Sequence, residues 1–439
     1  MRRKKQKNVR AIALYLGAVV LMISLTLIII WSYKNIHIEK NEDKKAEESQ
    51  EAQIETFKEI EDVSIIEEAI DKKDENESKE MMGTAEASQR ELEKVQEIIS
   101  AMTLEEKVAQ LFIIRPEALT GDGTVIQAGE KTKASIMTYP VGGVVYFKQN
   151  INSSEQIQSM LTNTQQYGTE RMGIPMFLSV DEEGGMVSRI SGRGFSGIPD
   201  IPAMMEIGNS EVVTNAYETG STIGAYLKEL GFNLDFAPVA DVASNPNNTV
   251  IGSRAFSTDA AIAAQMVAEY VKGMQGQNIL TTLKHFPGHG DTAQDSHYSS
   301  AVSYKTKEEL QQCEFLPFVS GIDAGATFVM VGHVALPNVT GDNLPATLSG
   351  SIVMSILREE LKFDGIIITD AMDMGAIVNH YSSSEAAVRA IQAGIDVILM
   401  PKNFQEAYTG VIQAVKEGTI TEERIEESLK RILKVKLDL

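Results

Sequence analysis

A single cysteine, Cys313, leaves no partner for an intrachain disulfide and excludes every zinc or iron–sulfur site that needs several thiolates. A basic surplus is also missing. The chain sets 40 Lys and Arg against 61 Asp and Glu, a net charge of −21, so it lacks the positive surface with which nucleic-acid binders displace counterions. The acidic excess promotes solubility instead. Aromatic residues are few, at 6%, yet hydrophobic residues reach 43% beside 33 glycines, which describes a globular α/β chain rather than a disordered or fibrous one. Its 439 residues exceed the 250 or so typical of an α/β barrel, so length alone leaves one or several domains open.

One long uncharged run stands out, "AIALYLGAVVLMISLTLIIIWSY" from Ala11 to Tyr33, after the basic residues 1–10. Roughly 20 apolar residues suffice to cross a bilayer, Trp31 and Tyr33 stand where an interfacial belt would place them, and the basic cluster favours a cytoplasmic N-terminus. The expectation is an uncleaved signal-anchor over residues 11–33, giving a single-pass protein of the cell membrane with its remainder extracytoplasmic. A cleaved signal peptide is the alternative, though its apolar region is usually shorter and no small-residue cleavage site precedes "KNIHIEK". Residues 34–90 read as a charged stalk. From His37 to Gln89 the chain lacks proline, abounds in Glu, Lys, Gln and Ser, and has a short apolar periodicity at Ile54, Phe57, Ile60, Val63 and Ile70. So few large apolar groups cannot offset chain entropy, which predicts disorder or a marginal helix, with a short coiled coil as the alternative.

From about Glu91 to Leu439 apolar strand-like runs alternate with amphipathic segments, the pattern of parallel βα units. Eight runs qualify: "AQLFIIRP", "GGVVYF", "IPMFLSVD", "LDFAPVAD", "ILTTLKHF", "TFVMVGHV", "GIIITDA" and "DVILMP". Between them lie helix candidates such as "SEQIQSMLTNTQQYGTER", which Ser153 or Ser154 would cap. The expected fold is a single (β/α)8 TIM barrel over residues 91–439, with an open doubly wound sheet as the alternative. Either fold collects ligands at the C-terminal ends of strands. There the sequence places Asp181, Asp241, Lys284 and His285, His333, and Asp370. In the final helical stretch, Ile425, Leu429, Ile432 and Leu433 read as packing.

The stretch "KHFPGHGDTAQDSHYSS" gathers three of the six histidines, so His285, His289, Asp291, Asp295 and His297 are all potential metal ligands. Paired ligands at helical spacing need a helix, and Pro287, Gly288 and Gly290 oppose one. His289 and Asp291 read instead as braces of a tight glycine loop. "DSH" sets Asp295 two residues from His297, where a carboxylate can raise the imidazole pKa and let it donate and recover a proton. Asp370 supplies a carboxylate at another strand end, or else caps a helix through "AMDMGAI", with Asp373 as its first-turn charge.

Taken together, "KHFPGHGDTAQDSH", "DEEGGMVSR", "IGSRAF", "LDFAPVADV" and "FDGIIITDAMDMGAI" resemble the signatures of family 3 glycoside hydrolases. Within that family they are similar to bacterial β-N-acetylglucosaminidases of the NagZ type. The resemblance implies Asp370 as the nucleophile of a retaining mechanism, His297 as acid/base, and Asp295 as its orienting partner. It implies sugar contacts from Asp181, Arg189, Arg254, Lys284 and His285. The implied substrates are N-acetylglucosamine-containing muropeptides, from which terminal β-linked sugar is released, with no metal or organic cofactor and no nucleic acid. Glu182 and Met186 depart from the "DQEGGRV" frequent in the family, which bears on the leaving-group side. An N-acetylglucosaminide phosphorylase, a β-glucosidase on the same fold and a non-catalytic wall-binding protein stand as alternatives.

Overall fold

All eight expected strands form in the computed structural model, which describes residues 89–292 and 301–439. They are β1 (Phe112–Ile114), β2 (Gly143–Tyr146), β3 (Phe177–Val180), β4 (Leu234–Asp235), β5 (Leu280–Phe286), β6 (Phe328–Val331), β7 (Ile366–Thr369) and β8 (Ile398–Leu399). Every pairing is parallel, in the order β8-β1-β2-β3-β4-β5-β6-β7. The two ends meet through a bridge between Ile368 and Val397, so the sheet is a nearly closed TIM-like barrel rather than an open one. Its strands are covered on both faces, which is why they read as continuous apolar runs instead of alternating ones. Across the interior, Phe177 of β3 and Phe328 of β6 meet edge to face with ring centroids 5.3 Å apart.

Amphipathic helices make the crossovers: α1 (Glu130–Thr138), α2 (Ser154–Met172), α3 (Val213–Leu230), α4 (Ala260–Gln275), α5 (Phe315–Asp323) and α6 (Ser383–Ala393), with a π-helical segment at Ser351–Glu360. After β8 come α7 (Phe404–Lys416) and α8 (Glu422–Leu437). Local chemistry sets their limits. Ser153 caps α2 by accepting from the Gln156 N–H, and Gly173 ends it in a left-handed conformation at φ 71°. Helix α8 buries Ile425, Leu429, Ile432 and Leu433 completely, one stripe at helical spacing, as the sequence suggests.

The anchored architecture is corrected. No helix among the described residues is long and apolar enough to cross a membrane. The long helices are one-sided: α2 carries Glu155 in its first turn and Arg171 in its last, and its buried residues are confined to Ile157, Met160, Leu161, Thr164 and Gly168. Residues 11–33, expected as the transmembrane signal-anchor, and 34–88 of the stalk lie outside the described residues. The transmembrane helix, the membrane as a partner and the cell-membrane location with an extracytoplasmic barrel are therefore not carried further.

Opposite the strand C-termini, Lys436 of α8 enters the barrel's lower end. Its ammonium donates to Gln110 Oε1 at 2.8 Å and to the Gly142 carbonyl at 2.7 Å, and lies 4.9 Å from the Phe177 ring centroid. No carboxylate is among these partners, and burial pulls its pKa down to about 7. The unfolded chain then holds this proton up to a higher pH than the folded one. Lys436 therefore favours the fold fully above its ordinary value near 10.5, and this contribution is lost as pH falls to about 7. Unfolding by urea at pH 7.0 and 9.5 tests this. Lys436→Met is expected to lack about 2–3 kcal/mol of the stability that the wild type gains between those pH values.

Candidate active site

At the C-terminal ends of the strands a cavity of about 280 Å³ opens, with Val145, Phe236, Met330 and Leu399 among its apolar walls. Asp181, Arg189, Arg254, Lys284, His285 and Asp370 all line it, joined by Glu183, His289 and Asp373. These residues come from β5 and from the loops that follow β3, β4, β5 and β7. Asp295 and His297 lie outside the described residues.

Consecutive side chains of a regular strand face opposite ways. On β5 the register shifts between Leu283 and Phe286, and both Lys284 and His285 line the cavity. Lys284 Nζ donates to Asp181 Oδ1 at 2.8 Å and lies 2.6 Å from Glu183 Oε1. Arg254 grips the same Glu183 through two parallel bonds of 2.8 Å, Nε to Oε2 and Nη2 to Oε1. Burial pushes the Glu183 carboxyl up, but Arg254 and Lys284 outweigh it and hold the group well below the usual carboxylate range. Burial likewise pulls Lys284 down, yet Asp181 and Glu183 leave it raised and charged. In so apolar a setting, each of these charges depends on its partners.

A second buried carboxylate shapes the histidine turn. Asp241 Oδ2 lies 2.7 Å from His285 Nδ1 and accepts from the His285 backbone N–H at 3.2 Å, while Oδ1 accepts from the His289 N–H at 2.6 Å. Burial raises its pKa and the two histidines lower it, with a net depression. With Nδ1 turned to Asp241, His285 presents its other ring nitrogen away from that carboxylate. Glycine is required at 290, where an added Cβ would sit 1.7 Å from the Val242 carbonyl oxygen. His289 Nδ1 lies 2.9 Å from the Thr292 hydroxyl, and Asp291 Oδ2 accepts from Ser303 at 2.8 Å, so both brace the loop. Among the described residues, no three His, Cys, Asp or Glu side chains gather as they would around a metal ion.

Asp370 follows β7 directly, and its Oδ1 accepts from the Ala371 N–H at 2.8 Å. It is not the helix cap that its sequence context allows, because the short helix beyond it begins only at Gly375. Asp373, expected as a first-turn charge, instead lines the cavity and takes Arg115 at 2.9 Å, and burial raises its pKa. His333 is fully buried: Nε2 lies 3.0 Å from the Ala371 carbonyl and Nδ1 2.7 Å from the Thr347 hydroxyl, which ties the segment after Asp370 to the end of β6.

Sequence reasoning missed Glu183, Asp241 as a histidine anchor, Asp373 and the cavity-lining Phe147, over which Arg189 stacks at 5.4 Å. The signal for Glu183 was the third acid of "DEEGG", and for Asp241 its place at a strand end.

Residues 103–435 match the family model described as glycosyl hydrolase family 3 N terminal domain. The chain is 33% identical over 329 residues to the beta-hexosaminidase A of Pseudoalteromonas piscicida, covering 69% of this chain and 54% of that one. It is 35% identical over 278 residues to the beta-hexosaminidase of Stenotrophomonas maltophilia (strain R551-3), covering 62% and 80%. A solved structure, a glycoside hydrolase family 3 beta-N-acetylglucosaminidase from Paenibacillus sp. str. FPU-7, aligns with a TM-score of 0.72 and 36% identity over 77% of this chain and 62% of that one. The chain thus spans little more than half of the first relative and less than two thirds of the structure.

Removing Glu183 leaves buried Arg254 without its carboxylate and Lys284 with Asp181 alone. Glu183→Ala is expected to lower the unfolding free energy by about 3–5 kcal/mol, whereas Met186→Ala, at a side chain 70% exposed, should change it by less than about 0.5 kcal/mol. Chemical denaturation of the two variants beside the wild type checks both values.

Proposed function

The chain belongs to glycosyl hydrolase family 3, and we propose that it is a retaining exo-β-N-acetylglucosaminidase that removes terminal β-linked N-acetylglucosamine from peptidoglycan fragments. The observation that carries this reading is the Asp370 carboxylate in a small cavity already furnished with Asp181, Arg254 and Lys284. A space of about 280 Å³ suits one sugar ring and not a chain, which favours attack at a chain end. Charged partners suit sugar hydroxyls, since hydrogen bonds to ionised groups are the stronger ones. The N-acetyl preference is supported by the names of the relatives, and the peptidoglycan origin by the resemblance of the "DSH" loop.

In the first step an Asp370 oxygen attacks the anomeric carbon as the glycosidic C–O bond breaks, and His297 gives its proton to the leaving oxygen. In the second, His297 takes a proton from water, the resulting hydroxyl attacks the same carbon, and the Asp370 carboxylate departs. Two displacements retain the anomeric configuration. Asp295 orients the imidazole and stabilises its charged form. Lys284, Arg254 and Asp181 hold the sugar through both steps, and the apolar walls strengthen those contacts.

Hydrolysis of a chromogenic β-N-acetylglucosaminide and of the matching β-glucoside, with and without phosphate, tests the proposal. The N-acetylglucosaminide should be preferred, and Asp370→Ala and His297→Ala should each retain less than about a hundredth of wild-type turnover. Wild-type rates in Asp370→Ala would overturn the assignment. Accumulation of sugar 1-phosphate would replace hydrolysis by phosphorolysis, preference for the glucoside would make it a β-glucosidase, and binding of muropeptides without turnover would make it a wall-binding protein.

A further inference from the structure

We propose that Glu182 is a positioning residue whose buried carboxylate sets where Arg189 meets the sugar. This rests on the reading of the cavity as a sugar site. Glu182 has no accessible surface, and donors surround both of its oxygens. Oε2 accepts from the backbone N–H of Arg189 at 2.6 Å and of Ile190 at 3.0 Å; Oε1 accepts from the Ser191 N–H at 2.7 Å and the Tyr226 hydroxyl at 2.9 Å. Three successive peptide groups therefore converge on one side chain. Residues 189–191 belong to no helix or strand, so this carboxylate supplies the fixing that regular structure gives elsewhere. Glu182 is itself held, because its own N–H donates to Asp235 Oδ1 at 2.9 Å.

The Arg189 side chain is the part of this turn that reaches the cavity. Its guanidinium stacks on Phe147, and Nη2 stands 3.7 Å from Asp181 Oδ2, at the edge of an ion pair. Its Nε is buried without a hydrogen-bond partner among the described residues. A buried donor in that state costs free energy until an acceptor arrives, and a sugar oxygen in the cavity is such an acceptor. Where that donor points follows from the turn, and the turn follows from Glu182. Glutamine has the same shape but a single acceptor oxygen, so its amide NH₂ would face two of the four donors.

Kinetics on the chromogenic N-acetylglucosaminide test this in wild type, Glu182→Gln, Arg189→Ala and the double variant. Glu182→Gln is expected to raise KM about tenfold while kcat changes less than about threefold, since Arg189 binds the sugar before and during the reaction. In the Arg189→Ala background the same change should alter KM less than about twofold, because its target is gone. Tyr226→Phe removes one donor that comes from α3 rather than from the turn and should raise KM about threefold, again only while Arg189 is present; it carries the cycle if Glu182→Gln does not fold. Equal KM effects in both backgrounds, or an unchanged KM in Glu182→Gln, overturn the inference. A wild type without turnover overturns the proposed function instead. The cycle is then read from the Kd for N-acetylglucosamine, where absence of coupling overturns the positioning role.

Discussion

Everything around the cavity depends on one carboxylate shared by two cations. Glu183 accepts two parallel bonds from Arg254 and lies 2.6 Å from Lys284, and all three side chains are largely withdrawn from water. A charge in such a place is tolerable only if its partners stay put, so the network fixes the end of β3, the end of β5 and the loop after β4 against one another. Asp181 extends the same network through Lys284 to the solvent side. The sugar contacts are thus pre-positioned by electrostatic need, before any ligand arrives.

Two further carboxylates repeat this device with backbone N–H, hydroxyl and imidazole groups as partners. Asp241 collects the His285 ring and the N–H groups of His285 and His289, and Glu182 collects the N–H groups of residues 189–191. Loops at the strand ends of a barrel carry function but lack ladders to hold them. Here buried acids take the place of those ladders. At the lower end of the barrel Lys436 is held by an amide and a carbonyl, while buried Asp396, just before β8, takes Arg358 at 2.7 Å and Arg431 at 3.2 Å. Both ends therefore rely on charge pairing, and the lower end adds a buried lysine whose neutralisation favours the fold.

Strand existence and strand-end chemistry were legible in the sequence because both are local. All eight apolar runs became barrel strands, and the polar residues just past them, Asp181, Lys284, His285 and Asp370, meet in the cavity. Extent was less legible. "LDFAPVAD" yields a ladder of only Leu234–Asp235, since Pro238 has no N–H to give, although Val239 still bridges to Lys284. Glu183 and Asp373 escaped notice because each earns its place through a distant partner, Arg254 and Arg115, and no local spacing encodes such a pairing. The apolar run at 11–33, expected as a span, lies outside the described residues, among which no helix is long and apolar enough to cross a membrane.

The account stands or falls on Asp370 as the atom donor to the anomeric carbon. Incubating the chain with a fluorinated N-acetylglucosaminyl fluoride, whose glycosyl-enzyme breaks down slowly, and mapping the labelled peptide by mass spectrometry tests this directly. The expected result is one sugar attached to the peptide of residues 366–378, with fragmentation placing it on Asp370. A label on Asp181 or Asp373, or turnover with inverted configuration and no label, would contradict the account.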